Sequence, residues 1–269
     1  MKEFYLPGKE RIYYRKNAFK AGRKTIIFVH GLSGSCSAWF PYENKFENKY
    51  NILTLDIRGH GKSFRPAKLR DYAVDKYVED LYRIIKKEKL SNLILIGHSF
   101  GTMIVMDFLT KHRSLVKSLI LISSDAAPAK RIVAKTMKMI FSPSRIMNYL
   151  PQYKIYGGHI DYKKYPNTGD WNLRRMIADI SNTGLRSYFF SMLQAYDFDK
   201  EDDLSKINLP VLVMHGDKDT VCPLNSGIKV NQLIKKSKFV VFNGSNHVVV
   251  LNEVDKVSKE IDHFIQLLK

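Results

Sequence analysis

Only two of the 269 residues are cysteine, Cys36 and Cys222. Two are too few for a disulfide framework and their separation fits no metal-binding spacing, so free thiols are expected. No apolar run approaches the ~20 residues that a membrane-spanning helix needs. The opening M-K-E-F-Y-L-P-G-K-E lacks the apolar core and small-residue cleavage site of a secretory signal. Both absences point to a cytoplasmic protein without a transmembrane segment. Acidic residues are also scarce: 26 Asp and Glu against 44 Lys and Arg leave a formal charge of +18. That charge would suit nucleic acid or an anionic surface. Yet 31 of the 44 are lysines, spread along the chain without a nucleic-acid-binding motif. A solvated lysine-rich surface accounts for them, and no specific nucleic-acid partner is expected. Repeats and low-complexity tracts are missing as well. With 45% hydrophobic residues, disorder is excluded and one sizeable folded domain is expected.

What is present is a rhythm of short apolar runs. They span Thr25 to Val29, Ile52 to Ile57, Leu93 to Ile96, Ser118 to Ile122, Pro210 to Met214 and Phe239 to Phe242. The runs are continuous rather than alternating, which predicts strands buried on both faces of a parallel sheet. Between them lie helical spacings: Val74, Val78, Leu81, Ile84 and Ile85; Ile104, Val105, Phe108 and Leu109; Val254, Val257, Ile261, Phe264 and Ile265. Strand, helix, strand in succession predicts a doubly wound α/β fold. Phe4 to Leu6 and Arg11 to Arg15 flank P-G-K-E and predict an antiparallel hairpin at the sheet edge. The rhythm fails over 126–206, which has helical patches, breaks at S-P-S (Ser142 to Ser144) and Y-G-G (Tyr156 to Gly158), and no core strand. A structureless loop of that length is improbable. The expectation is a core of 1–125 and 207–269 with 126–206 inserted as a helical cap within the same domain.

One run ends unusually, in L-I-L-I-G-H-S-F-G (Leu93 to Gly101). G-x-S-x-G alone is a weak signal, because Gly and Ser are ordinary turn residues. Here the serine follows a buried-type strand and opens an amphipathic helix, the setting of a nucleophile elbow. A strand-to-helix turn that tight leaves no room for β-carbons beside Ser99, which explains Gly97 and Gly101. Ser99 is therefore the candidate nucleophile, and it needs a base. Of eight histidines, His247 follows the run Phe239 to Phe242 in the loop N-G-S-N-H and can reach the same sheet edge. His263 and His112 lie in helical patterns that suit surface or packing roles. An orienting acid belongs at another strand end. H-G-D-K-D, after Pro210 to Met214, offers Asp217 and Asp219, and Asp125 is an outside candidate. The turn F-V-H-G-L (Phe28 to Leu32) lets the backbone N–H of Leu32 join that of Phe100 as donors to an oxyanion.

With H-G-L, D-I-R-G-H-G-K-S (Asp56 to Ser63), G-H-S-F-G, H-G-D-K-D and G-S-N-H in that order, the chain resembles the α/β-hydrolase family from about Thr25 to the C-terminus, apart from 126–206. The resemblance implies the α/β-hydrolase fold and a triad in the order Ser99, Asp219, His247. It selects Asp219 as the acid and leaves Asp217 to shape the loop. It also makes Asp56 to Ser63 a structural turn, with no catalytic role for Arg58 or His60. Serine at position 99 speaks against haloalkane dehalogenase or epoxide hydrolase chemistry, whose relatives carry a carboxylate there. The pattern departs from the family's in having Thr102 rather than a further Gly after Gly101.

The expected activity is hydrolysis of carboxylic esters of small or medium acyl chains through an acyl-enzyme, with a small-molecule ester as the partner and no metal or organic cofactor. Thioester hydrolysis, carbon–carbon bond hydrolysis and perhydrolysis are alternatives on the same triad. A ligand-binding protein on the same fold is the non-enzymatic alternative. Substrate choice falls to the inserted segment, where Leu185 to Leu193 either walls an acyl site or forms cap core. Arg174 and Arg175 meet an anionic substrate or, more simply, line a solvated helix face.

Overall fold

The structure is a computed structural model and describes residues 1–141, 150 and 158–268. The expected breaks at Ser142 to Ser144 and at Tyr156 and Gly157 lie outside those residues. Its centre is a sheet of eight strands in the order β1-β2-β4-β3-β5-β6-β7-β8. β1 (Lys2–Tyr5) and β2 (Tyr13–Lys16) form an antiparallel hairpin, and β2 joins β4 antiparallel. β3 (Thr25–Val29), β4 (Asn51–Leu55), β5 (Leu93–His98), β6 (Val116–Ile122), β7 (Val211–Gly216) and β8 (Ser237–Phe242) are parallel to one another. This is the α/β-hydrolase fold.

The apolar runs are continuous because helices cover both faces. Ile26, Phe28, Ile94, Ile96, Ile120, Ile122, Leu212 and Met214 point into one core, with α1 (Phe40–Phe46) against them. Their strand neighbours Ile27, Val29, Leu95, Leu119, Leu121, Val211 and Val213 point into the other, under α2 (Val74–Lys87) and α3 (Phe100–Lys111). Successive side chains alternate faces, so each strand feeds both cores, and each large apolar side chain contributes about 1.5–3 kcal/mol on burial.

Between β6 and β7 the described residues contain no strand. They hold α4 (Ile132–Phe141), α5 (Leu173–Thr183), α6 (Leu185–Ala195) and α7 (Glu201–Leu204). Two hydroxyl pairs fasten α6 to the core, Ser187 Oγ to Tyr72 OH and Ser191 Oγ to Tyr77 OH, both at 2.8 Å. After β7 come α8 (Leu224–Leu233), α9 (Val249–Asn252) and α10 (Val254–Leu267). Val257, Ile261 and Ile265 of α10 join α1 on the first face.

Most strand ends lie within one or two residues of the sequence expectation, and two of the differences have a visible cause. The hairpin strands end at Tyr5 and resume at Tyr13, because Leu6 and Ile12 close the loop with a 2.9 Å backbone bond and turn their side chains inward. β4 stops at Leu55 because the Asp56 carboxylate takes the N–H groups of Cys36 and Lys62, at 2.7 and 2.8 Å, and so turns the chain.

Candidate active site

β5 hands over to α3 at Ser99, whose backbone sits at φ 51°, ψ −118°. Positive φ in a residue with a β-carbon costs of order 1–3 kcal/mol unless the surroundings enforce it. They do: Ser99 N–H donates to Ile122 O at 2.9 Å, and its own carbonyl accepts from Thr102 N–H and Thr102 Oγ1 at 2.8 and 2.6 Å. Thr102, where the chain departs from the family pattern, thus ties down the turn. The flanking glycines are sterically required. A Cβ on Gly97 would lie 2.5 Å from Gly101 O, and one on Gly101 would lie 2.3 Å from Val29 O.

The parallel strands bring Ser99, Asp219 and His247 to one edge from the ends of β5, β7 and β8. His247 Nε2 accepts from Ser99 Oγ at 2.8 Å, and His247 Nδ1–H donates to Asp219 Oδ2 at 2.8 Å. Asp219 Oδ1 accepts the N–H groups of Val221 and Cys222, at 3.0 and 2.7 Å. Burial alone would raise the Asp219 carboxyl, but hydrogen bonds from His215 and His247 hold it well below the usual carboxylate range. His215 is fully buried; its Nε2–H faces Cys222 O at 2.7 Å and Asp219 Oδ2 at 3.3 Å.

The histidine loop is held from three sides. His98 Nε2–H donates to His247 O at 2.9 Å, and Ser123 Oγ donates to the same oxygen at 3.3 Å. Burial pushes the His98 imidazole down to about 3, so it stays neutral and keeps that donor at working pH. His247 N–H donates to Asp170 Oδ1 at 2.7 Å. None of these supports was singled out from the sequence. His98 and His215 stand inside the motifs G-H-S-F-G and H-G-D-K-D and were visible there. Asp170 lies in the β6–β7 insertion with no local signal.

Ser99 and His247 open into a cavity of about 220 Å³. Gly31 and Leu32 form one wall beside the serine. Phe100 begins α3, so its N–H belongs to the first helical turn, which has no intrahelical acceptor. The segment between β6 and β7 also lines the cavity, including Tyr188 and Met192 of α6. Within Leu185 to Leu193, Phe190 and Leu193 pack into the core while Tyr188 and Met192 line the cavity. Arg174 is exposed, but the solvated face expected for Arg175 is corrected. Arg175 is buried at the cavity, bonded to Asp179 Oδ2 at 2.7 Å and to Asp170 O at 2.9 Å. Asp179 is also bonded to Tyr162 OH at 2.9 Å, and burial outweighs both partners, pushing its carboxyl up to about 6.

Other candidates go elsewhere. Asp217 Oδ1 accepts Gly244 N–H at 2.6 Å and shapes the loop. Asp125 accepts Ala127 N–H and Ser226 Oγ, at 3.0 and 3.1 Å. Arg58 is buried in a two-pronged pair with Asp80, at 2.7 and 2.9 Å. Among the described residues the donor types that could hold a metal meet at Cys36, Asp56 and His159, within 4.8 Å of one another. The cluster is hydrogen-bonded within the protein: His159 Nε2 meets Asp56 Oδ2 at 2.9 Å while Asp56 accepts two backbone N–H groups. Both cysteines are free and buried.

Comparison with known proteins agrees with this architecture. The family model described as alpha/beta hydrolase fold matches residues 24–254, and the chain belongs to that family. It is 26% identical to the AB hydrolase superfamily protein YisY of Bacillus subtilis, covering 90% of this chain and 91% of that one. It is 25% identical to a proline iminopeptidase of Saccharolobus solfataricus, over 94% and 88% of the two chains. An esterase from Exiguobacterium antarcticum superposes with a TM-score of 0.75 at 24% identity, covering 96% of each chain. Among the described residues no helix is long and apolar enough to cross a membrane.

Proposed function

We propose that this protein is a serine hydrolase of carboxylic esters with small or medium acyl chains. The observation that carries the reading is the unbroken line of two 2.8 Å contacts from Ser99 Oγ through the His247 ring to Asp219, opening on a cavity of about 220 Å³. Ser99 Oγ attacks the ester carbonyl as His247 Nε2 takes its proton, and the Asp219 carboxylate stabilises the imidazolium. The N–H groups of Leu32 and Phe100 receive the oxyanion. Collapse breaks the bond to the alcohol, which leaves with the proton from His247. Water, deprotonated by the same nitrogen, then frees the acid and restores Ser99. No metal or organic cofactor enters the chemistry. Residues 126–206 act as the cap that walls the acyl site, consistent with Tyr188 and Met192 facing it.

The test is a substrate panel on wild type and Ser99→Ala. It contains p-nitrophenyl esters of two to ten carbons, an acyl-CoA, a ring-fission diketone acid, peracid formation and proline p-nitroanilide, the last prompted by the iminopeptidase relative. Turnover of the short and medium esters, lost in Ser99→Ala, supports the reading. Preference for another arm by more than a hundredfold overturns ester specificity. Failure of Ser99 to label with a fluorophosphonate overturns the nucleophile and favours a ligand-binding protein.

A further inference from the structure

We infer that Asp170 is a positioning residue of the reaction: its one carboxylate ties the loop of the proposed acid to the loop of the proposed base. It deepens the reading above and rests on it. Asp170 Oδ1 accepts His247 N–H at 2.7 Å. Its Oδ2 accepts Thr220 N–H at 2.9 Å and Thr220 Oγ1 at 2.7 Å, and Thr220 directly follows Asp219. The residue is nearly excluded from solvent, at 9% exposure, and its own carbonyl is held by the buried Arg175 guanidinium.

The loops after β7 and β8 are also joined by Gly244 N–H to Asp217 Oδ1 at 2.6 Å and by Lys218 N–H to Ser245 O at 2.9 Å, but Asp170 holds the residue next to Asp219 and His247 itself, and catalysis needs that imidazole and carboxylate in register to within about half an ångström. An ionised carboxylate accepts at both oxygens and can serve three donors at once. Neighbouring bonds strengthen the clamp: Thr168 O accepts from Asn246 Nδ2 of the histidine loop and from Asn252 Nδ2 at the end of α9, at 2.8 and 2.9 Å. The insertion therefore does more than cover the cavity; through residues 168–170 it becomes part of the frame that aligns the triad.

The isosteric Asp170→Asn tests this, because an amide offers one acceptor oxygen and must turn its NH2 group toward either His247 N–H or the Thr220 donors. Wild type and variant are compared by p-nitrophenyl acetate kinetics, by the rate of fluorophosphonate labelling of Ser99 and by thermal melting. The expected result is a 10- to 100-fold fall in kcat and in the labelling rate, KM within twofold of wild type, and a variant still folded at the assay temperature. A merely structural role would lower Tm and the active fraction without slowing labelling of the folded molecules. Equal kcat and labelling rate in folded Asp170→Asn overturn the inference. Should that variant not fold, Thr220→Val decides: a three- to tenfold loss in both rates supports the clamp, and wild-type rates refute it. A wild type that itself neither labels nor turns over esters refutes the ester-hydrolase reading instead, so the two failures are distinguishable.

Discussion

Replacing Asp219 by Asn changes one atom, and the surroundings dictate how the new amide must sit. Oδ1 faces the backbone N–H groups of Val221 and Cys222, at 3.0 and 2.7 Å. Those donors cannot turn away, so the amide oxygen takes that place and the NH2 group takes the place of Oδ2. There it faces His247 Nδ1, 2.8 Å from the present oxygen. The imidazole can meet an NH2 group only by becoming an acceptor at Nδ1, which moves its proton to Nε2. Nε2–H then points at Ser99 Oγ and cannot take the serine proton. By analogy with the same change in serine proteases, kcat should fall by about 10³- to 10⁴-fold. That corresponds to about 4–5 kcal/mol of barrier. His215 keeps its bond to Cys222 O, so the loop stays supported and the fold should persist. The assay is steady-state hydrolysis of p-nitrophenyl acetate by Asp219→Asn, with circular dichroism to verify folding. A folded variant within tenfold of wild-type kcat would refute both the tautomer argument and the assignment of Asp219 as the acid.

Two further outcomes follow from packing and charge. Gly101→Ala forces a Cβ to 2.3 Å from Val29 O and 2.7 Å from His30 O, both backbone atoms around the end of a central strand. The expected cost of ~3 kcal/mol lowers Tm by about 6–12 °C. Gly158→Ala, with nothing among the described residues within 4 Å, is the neutral control, and equal melting of the two variants would contradict the steric account. Asp179 is raised to about 6 by burial despite its Arg175 and Tyr162 partners, while an unfolded aspartate titrates near ~3.9. The folded state therefore holds this proton more tightly. The stabilisation is full below about pH 4 and is lost as pH rises through about 6, amounting to ~3 kcal/mol. Measured as wild type minus Asp179→Asn in urea unfolding, the difference should fall by that amount between pH 4 and pH 7.5; a pH-independent difference would refute the raised carboxyl.

How much of this was legible in the sequence depended on whether the requirement was local. Buried parallel strands announce themselves as continuous apolar runs, so β3 to β8 were placed to within a few residues. The elbow was legible because Gly97 and Gly101 are demanded by contacts that the turn creates. Arg175 was misplaced for the converse reason. On α5, in R-R-M-I-A-D, the i, i+4 spacing of Arg175 and Asp179 suits a pair on an exposed helix face as well as a buried one. What decides is a backbone oxygen and a tyrosine brought to that pair by the fold. The length of the insertion was evident, but not its register against the core.

The two carboxylates of H-G-D-K-D show where reading from a single chain must stop. Asp217 and Asp219 are two residues apart in one loop, and either could follow a strand end as an orienting acid. Asp219 folds back on its own chain, taking the N–H groups two and three residues ahead with Oδ1, and that local turn leaves Oδ2 free to face His247. Asp217 instead takes Gly244 N–H from the loop after β8, which fixes the approach of the segment that carries His247. One carboxylate thus meets the imidazole while the other braces the histidine's loop, and Asp170 braces it from the insertion. Residue type and spacing allow either order of tasks; only the path of the returning chain selects between them. It follows that, on this fold, the side chains most exposed to error in sequence reading are the acids that hold loops together, since their donors arrive from loops far along the chain.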